Sequence, residues 1–141
     1  ILCPANWQWM GGDTCFYISA LKKSWKESQN FCSSQNSTLL MLKARDKLIR
    51  TWNRFGNNLV ICSQNHVPPR SERDYYWIGL HKSEENSWYW VDGSAFSTPK
   101  EDWIYLYSSY NCGYLYGVTI GNSYHCTKEH FFICEKAAVK L

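Results

Sequence analysis

YYWIGLHKSEENSWYWVDGS, residues 75–94, holds six aromatic residues, all of them in Tyr75–Trp77 and Trp88–Trp90. A polar, turn-like run separates the two clusters, and Asp92-Gly93 follows as a turn. Alternation puts Trp88 and Trp90 on one face of a strand and Tyr89 on the other. Two readings compete for such a stretch: an aromatic ligand site, or the core strands of a small domain. The cysteines around it decide between them.

The chain has 141 residues, the size of a single domain, here taken as residues 1–141. Hydrophobic residues make up 45% and charged residues 19%, enough apolar surface to offset the conformational entropy lost on folding. Seven cysteines at positions 3, 15, 32, 62, 112, 126 and 134 form no CxxC pair of the kind zinc sites favour. Spread along a ring-rich domain, they read as a disulfide framework from an oxidising compartment, and their odd number leaves at least one over. Asn36-Ser37-Thr38 is an N-glycosylation sequon and fits a secretory route. Net charge is +3 and no basic stripe interleaves with the aromatics, so nucleic acid is not expected as a partner. No apolar run approaches the roughly 18 residues of a membrane helix. No signal peptide is visible, and the abrupt start at Ile1-Leu2-Cys3 is that of an excised ectodomain.

Local patterns lay out the elements. Residues 3–19 read as a hairpin with Met10-Gly11-Gly12-Asp13-Thr14 at its turn and CFYIS as its second strand. Ser24 and Glu27 form a capping-box pattern, and Trp25, Ser28 and Cys32 follow at helical spacing, which predicts a helix to about Gln35. Leu39–Leu42 is a short apolar strand. Ala44–Phe55 is a second helix, apolar at Leu48, Ile49, Trp52 and Phe55, with a basic outer face. Residues 56–76 break the pattern with Gly56, Asn57, Asn58 and Pro68-Pro69, although LVIC is apolar enough for a short strand. After the irregular stretch SAFSTPKEDWIYLYSSYN, strands are predicted at Cys112–Val118, Tyr124–Thr127 and Phe131–Glu135, with turns at Gly117 and Gly121-Asn122. The order is that of an α+β domain.

CPANW at 3–7, the Cys15 strand, the Trp25–Cys32 helix, SQNSTLL at 34–40, WIGL at 77–80, WYWVDGS at 88–94 and the final Cys112…Cys126…Cys134 together carry a resemblance. Over nearly its full length the chain resembles a C-type lectin-like domain of the receptors of the natural killer gene complex. Its CGYLYG…YHCTKEHFFICEK segment is similar to the branch that includes dectin and the myeloid inhibitory lectin-like receptor. The resemblance implies two helices with two small antiparallel sheets and a long loop region, stapled by Cys3–Cys15, Cys32–Cys134 and Cys112–Cys126. It also implies that WIGL is a core strand with the WxW strand beside it. Trp77, Ile78, Leu80 and one of Trp88 and Trp90 are then structural, Gly79 leaves room for a neighbouring backbone or ring, and Tyr75 and Tyr76 stay open between core and surface.

Calcium-dependent members of the family hold the ion with Glu-Pro-Asn or Gln-Pro-Asp in the long loop and with Trp-Asn-Asp before the penultimate cysteine. Here the loop offers Thr98-Pro99-Lys100, and Asn122-Ser123-Tyr124-His125 precedes Cys126. Calcium takes six to eight oxygen ligands, so a cation at Lys100 and the missing carboxylate argue against a metal, and no cofactor is expected. Glu101 and Asp102 lack a companion set. The histidines His66, His81, His125 and His130 sit in no GxSxG, HExxH or Cys/His nucleophile context, so an enzyme is not expected. Cys62 and His66 supply two metal ligands on one loop, too few for a site.

The resemblance places ligand contacts on the long-loop side and its neighbouring strands. The candidates there are Trp103, Tyr105, Tyr107, Tyr110, Tyr114, Tyr116 and Tyr124. Tyr and Trp bury large area at small entropic cost and keep a polar tip; the alternative is that several of these rings staple the loop to the core. Trp103, Tyr105 and Tyr107 alternate with Ile104 and Leu106, so one set faces inward. Tyr114 and Tyr116 stand where dectin carries its sugar-contacting Trp and His. Cys62, in an insert at 56–76 longer than the family's usual link, is open to three readings: an intersubunit disulfide, a buried free thiol, or another internal pairing. The whole reads as the cell-surface ectodomain of a single-pass type II receptor of natural killer or myeloid cells. It is expected to be a homodimer, anchored by a segment outside this chain, that binds a protein (MHC class I-like or lectin-like) on another cell. A glycan or damage-derived ligand is the alternative.

Overall fold

The computed structural model describes residues 2–9, 12–43, 74–83, 85, 87–96, 104–106, 111–116, 119–123 and 125–140. The expected second helix at 44–55, the LVIC strand, Cys62, Lys100, Trp103, Tyr107, Tyr110, Gly117 and Tyr124 lie outside these residues.

The strands are β1 (Gln8–Trp9), β2 (Thr14–Ile18), β3 (Thr38–Leu39), β4 (Tyr75–Lys82), β5 (Trp88–Trp90), β6 (Ile104–Tyr105), β7 (Cys112–Tyr116), β8 (Thr119–Ser123) and β9 (Phe131–Ala137), and the helix α1 is Trp25–Ser34. They hydrogen-bond in the order β1-β2-β9-β4-β7-β8-β6, with β3 on β9 and β5 on β4. Two antiparallel groups are present as expected, β1/β2/β9/β3 and β5/β4/β7/β8. They are not separate sheets, because β4 pairs in parallel with β9 at Tyr76↔Phe131 and Trp77↔Phe132 and joins them. A second parallel pairing sets Ile104 and Tyr105 beside Ile120 and Gly121.

Helix α1 begins as its sequence dictates. The Glu27 amide donates to Ser24 Oγ and the Ser24 amide to Glu27 Oε1, each at 3.2 Å, which satisfies two of the helix's orphan donors reciprocally. The helix buries Ser28 and Cys32, and the Trp25 indole donates to the Ile78 carbonyl at 2.9 Å, docking the helix on β4. Its C-terminus closes with a Schellman motif. Asn36, at φ 54°, donates to the Ser33 carbonyl and Ser37 to the Cys32 carbonyl.

β4 is buried from Tyr76 through Leu80 because both its faces are covered, which is why it reads as a continuous apolar run. Tyr76, Ile78 and Leu80 join a core with Phe16, Ile18, Leu40, Leu42, Trp90, Leu115, Ile120 and Ile133. Trp77 lies in a second cluster with Cys32, Leu39, Cys112, Phe132 and Cys134. Trp90 is buried and Trp88 is partly buried against the first cluster, so the shared face of the WxW strand points inward. At Gly79 a Cβ would stand 2.8 Å from both the Leu39 carbonyl oxygen and Val91 Cγ2, the close approach its residue type predicted.

The structure contains the bonds Cys3–Cys15, Cys32–Cys134 and Cys112–Cys126. Leu2 and Val139 exchange two backbone hydrogen bonds, so the two ends of the described chain lie together. Two stretches differ from expectation: the short strand read at Leu39–Leu42 is Thr38–Leu39 instead, with Leu40 and Leu42 buried in the core beyond it, and a later turn and strand are shifted. The turn predicted at Gly121-Asn122 and the strand at Tyr124–Thr127 are displaced. Gly121 and Asn122 lie inside β8, paired with Tyr114 and Gly113, and the turn falls at 125–128, where the Lys128 amide donates to the His125 carbonyl. Gly121 is there for close approach rather than for turning, since a Cβ on it would meet the Tyr114 ring at 2.7 Å.

Candidate ligand-binding site

Period-2 alternation puts Tyr75, Trp77, Gly79 and His81 on one face of β4, and Cys112, Tyr114 and Tyr116 on one face of β7. The antiparallel register sets Tyr75 opposite Tyr116 and Trp77 opposite Tyr114. Four rings therefore converge. Tyr75 lies 4.6 Å from Tyr116 at a tilt of 31° and 4.9 Å from Tyr114 edge-on at 86°. His130, just before β9, packs 5.3 Å from Tyr75 and 4.9 Å from Trp77.

Burial across this cluster is graded. Trp77 is 0% exposed, Tyr114 and His130 are half-buried, and Tyr75 and Tyr116 are 41% and 38% exposed. The Trp77 indole donates to the Lys23 carbonyl at 3.0 Å and to the Lys128 carbonyl at 3.3 Å. Lys23 and His130 exchange backbone hydrogen bonds of 2.9 Å each. The segment before α1 and the turn before β9 are thus tied beneath the tyrosines. Burial, and then the positive charges of Lys128 and Lys22, push the His130 imidazole below its usual pKa, which favours the neutral ring. The exposed Lys22 ammonium sits 5.1 Å over the Phe131 ring, which packs with Tyr76 on the opposite face of β4. The result is a rigid phenolic surface with polar tips, braced from below by an indole and an imidazole.

Of the residues singled out in the sequence, the structure brings Tyr114 and Tyr116 together. Tyr105 sits on β6 with its backbone beside Gly121, whose other neighbour is Tyr114. Ile104 and Leu106 pack against the core and are the inward set of that alternation. Trp103, Tyr107, Tyr110 and Tyr124 fall outside the described residues. Tyr75 and His130 were not among the sequence candidates. The signal for Tyr75 was its place at the start of a strand, one residue from the inward Tyr76, which turns it to the other face where that face reaches solvent. For His130 no local signal existed, because its neighbours are 53 to 55 positions away at Trp77 and Tyr75.

Elsewhere, Asp92 accepts from Lys43 and from the Ser94 hydroxyl and amide, and these bonds hold its carboxyl well below the usual carboxylate range. Asn122 is 3% exposed within β8. Among the described residues no three of His, Cys, Asp and Glu are grouped to hold a metal ion, and no helix is long and apolar enough to cross a membrane.

A family model described as the lectin C-type domain matches residues 21–136. Natural killer cells antigen CD94 of Rattus norvegicus is 33% identical over 139 residues, which are 95% of this chain and 66% of that protein. C-type lectin domain family 12 member B of Homo sapiens is 31% identical over 147 residues, 99% of this chain and 46% of that protein. Early activation antigen CD69 of Homo sapiens is 26% identical over 129 residues, 91% of this chain and 54% of that protein. The chain thus spans about half to two-thirds of the length of these relatives. Among solved structures, the mouse scavenger receptor C-type lectin carbohydrate-recognition domain superposes with a TM-score of 0.72 at 23% identity, covering 99% of each chain. A calcium-independent type II antifreeze protein follows at 0.68 and 21%, covering 98% of this chain and 96% of its own; at these identities the likeness concerns the fold alone. The capped helix docked on a WIGL strand, the WxW strand beside it, the three disulfides and the family match reach one conclusion: this chain belongs to the C-type lectin domain family.

Proposed function

We propose that this domain is the ligand-binding ectodomain of a type II immune-cell surface receptor, and that it grips a protein on another cell through its tyrosine platform without calcium and without catalysis. The observation that carries the reading is the pair Tyr75 and Tyr116, exposed, in ring contact and braced from beneath. Amphipathic rings with few rotatable bonds lose little entropy on binding, which is the character of an interface hot spot. The similarity to CD94 and CD69 supports the receptor setting. Thr98-Pro99-Lys100, which puts a cation where calcium-binding members carry a carboxylate or amide ligand, supports calcium independence.

A second reading has its own support: an exposed tyrosine pair can stack on a sugar ring, so a glycan or damage-derived ligand fits the same surface. The domain acts as a homodimer in either case. Staining ligand-bearing cells with the tetramerised domain tests both readings. Tyr75→Ala/Tyr116→Ala should lower staining affinity by at least about 10-fold, from roughly 1.4 kcal/mol or more of lost contact, and chelator should leave it unchanged. Undiminished staining by the double variant would remove the platform from the reading. Loss with chelator would restore the metal. Sedimentation of the full ectodomain with its upstream segment should give twice the mass of one chain.

A further inference from the structure

On another part of the molecule, the end of α1, β3, the start of β2 and the end of β9 enclose an open groove of about 680 Å³. Asp13, Thr14, Asn36, Thr38, Met41 and Lys136 are among the residues that line it. Carboxylate, hydroxyl and amide groups alternate there with the apolar surfaces of Met41 and Ala137, a mixture that matches the polar edges and apolar faces of a sugar.

Asn36 is both a wall of this groove and the acceptor residue of Asn36-Ser37-Thr38. Its position has a structural reason that is independent of glycosylation: it takes the left-handed C′ place of the Schellman motif, which asparagine tolerates. The side chain is not consumed by that role, and the residue is exposed. The sequon's working hydroxyl is that of Thr38, two residues on, while the Ser37 hydroxyl donates to the Cys32 carbonyl at 2.6 Å in the folded chain.

We infer that Asn36 carries an N-linked glycan whose first sugars lie in this groove and cover the β2/β9 surface. Attachment joins the Asn36 side-chain nitrogen to the anomeric carbon of a lipid-linked oligosaccharide pyrophosphate; the C1–O bond to the pyrophosphate breaks, the lipid pyrophosphate leaves, and the amide gives up one proton. It takes place on the chain before folding closes the segment. Once attached, the sugars are confined beside the groove at high effective concentration, so contacts too weak to hold a free sugar suffice. His130 and Lys136 are six residues apart along an extended segment, which at the rise of a strand is about 20 Å. The glycan would therefore cover one end of β9 and leave the tyrosine platform at the other end open. The inference stands whether or not that platform is the ligand site.

The test uses the chain secreted from mammalian cells. Peptide mass mapping should find Asn36 occupied and converted to Asp by an amidase that removes N-glycans. Occupancy should vanish in Asn36→Gly, which keeps a residue suited to the left-handed position, and in Thr38→Val, which keeps a β-branched residue in β3. Methyl spectra of Thr14, Met41 and Ala137 should shift when an endoglycosidase trims the wild-type glycan to its first sugar, and shift again on full removal. An unmodified Asn36 peptide would overturn the inference. So would an occupied Asn36 whose removal leaves the Thr14 and Ala137 methyl signals unmoved. The methyl comparison is made on wild-type protein and needs no variant to fold.

Discussion

Gly79 and Gly121 both sit in strands at close approaches, and what each one faces separates their roles. The Cβ of an alanine at 79 would meet the Leu39 carbonyl oxygen, which is backbone held between β3 and β4 and cannot move aside. Gly79→Ala should cost about 1–3 kcal/mol, the usual penalty of overpacking, read as a lower urea midpoint. An alanine at 121 would meet the tip of the Tyr114 ring, which can swing. Gly121→Ala should therefore unfold at a urea concentration closer to wild type while weakening ligand binding, because Tyr114 supports Tyr75 edge-on. His130 gives a prediction with a sign. Burial lowers its folded pKa below the ordinary 6.5, so as pH falls the unfolded chain takes up the proton first. Its contribution is complete above about pH 6.5, declines as pH drops toward the lowered folded value, and levels off below it. His81 is lowered in the same direction by burial and by Lys26, so each histidine contributes part of the slope. Urea midpoints at pH 7.5 and 5.0 should differ less in His130→Asn and in His81→Asn than in wild type; an unchanged difference in both would mean that neither ring senses its burial.

At the scale of the element, α1 shows how much a single cap decides. Replacing Ser24 with alanine removes the acceptor for the Glu27 amide and leaves Glu27 as half of a box, at a cost of about 1 kcal/mol. The helix docks through Trp25 on Ile78, so the loss should appear in global unfolding and not only as fraying of the first turn; a Ser24→Asp variant, which retains a cap acceptor, should recover most of it. This helix was legible because its signals are local: a cap, its partner three residues on, and an apolar spacing. The hairpin β1–β2 and the alternation of β5 were legible for the same reason, whereas β4 as a core strand beside β5, like the disulfide pairs, came from the family resemblance. Three features were not legible. The parallel joining of β4 to β9 pairs residues 55 positions apart and leaves no local trace. The register of β8 was misplaced because a glycine beside an asparagine reads as a turn, whereas Gly121 instead makes room for a ring across the strand pair. The candidate platform was half legible. Tyr114 and Tyr116 stood out by composition and resemblance, but Tyr75 joins their cluster only through its register with Tyr116, a fact of pairing and not of sequence neighbourhood.

Among the described residues the two antiparallel strand groups are joined into one sheet by the parallel pairing of two residues of β4 with two of β9, and the disulfides differ in what they add to that joint. Cys3–Cys15 spans 12 positions and Cys112–Cys126 spans 14, each closing a loop near a hairpin that hydrogen bonds already hold. Cys32–Cys134 spans 102 positions and links α1 to β9, with both cysteines wholly buried beside Trp77 and Phe132. In the chain-entropy model a loop of this length restricts the unfolded ensemble by about 4–5 kcal/mol, against about 3 kcal/mol for the two short loops. Domains of this size are stable by only about 5–15 kcal/mol in total. Replacing Cys32 and Cys134 together with alanine should therefore lower the unfolding free energy by more than either short-loop pair, with the deleted sulfurs' core packing adding to the entropic loss. The losses are measured as urea midpoints at constant m-value for three paired variants, each keeping the other two bonds. The Cys3/Cys15 pair should cost least, since β1 stays on β2 through Gln8↔Phe16 and Trp9↔Cys15. If instead the three losses came out equal, the long loop would already be closed in the unfolded chain by residual structure, and the tie between helix and last strand would owe its strength to the cluster around Trp77 and not to the crosslink.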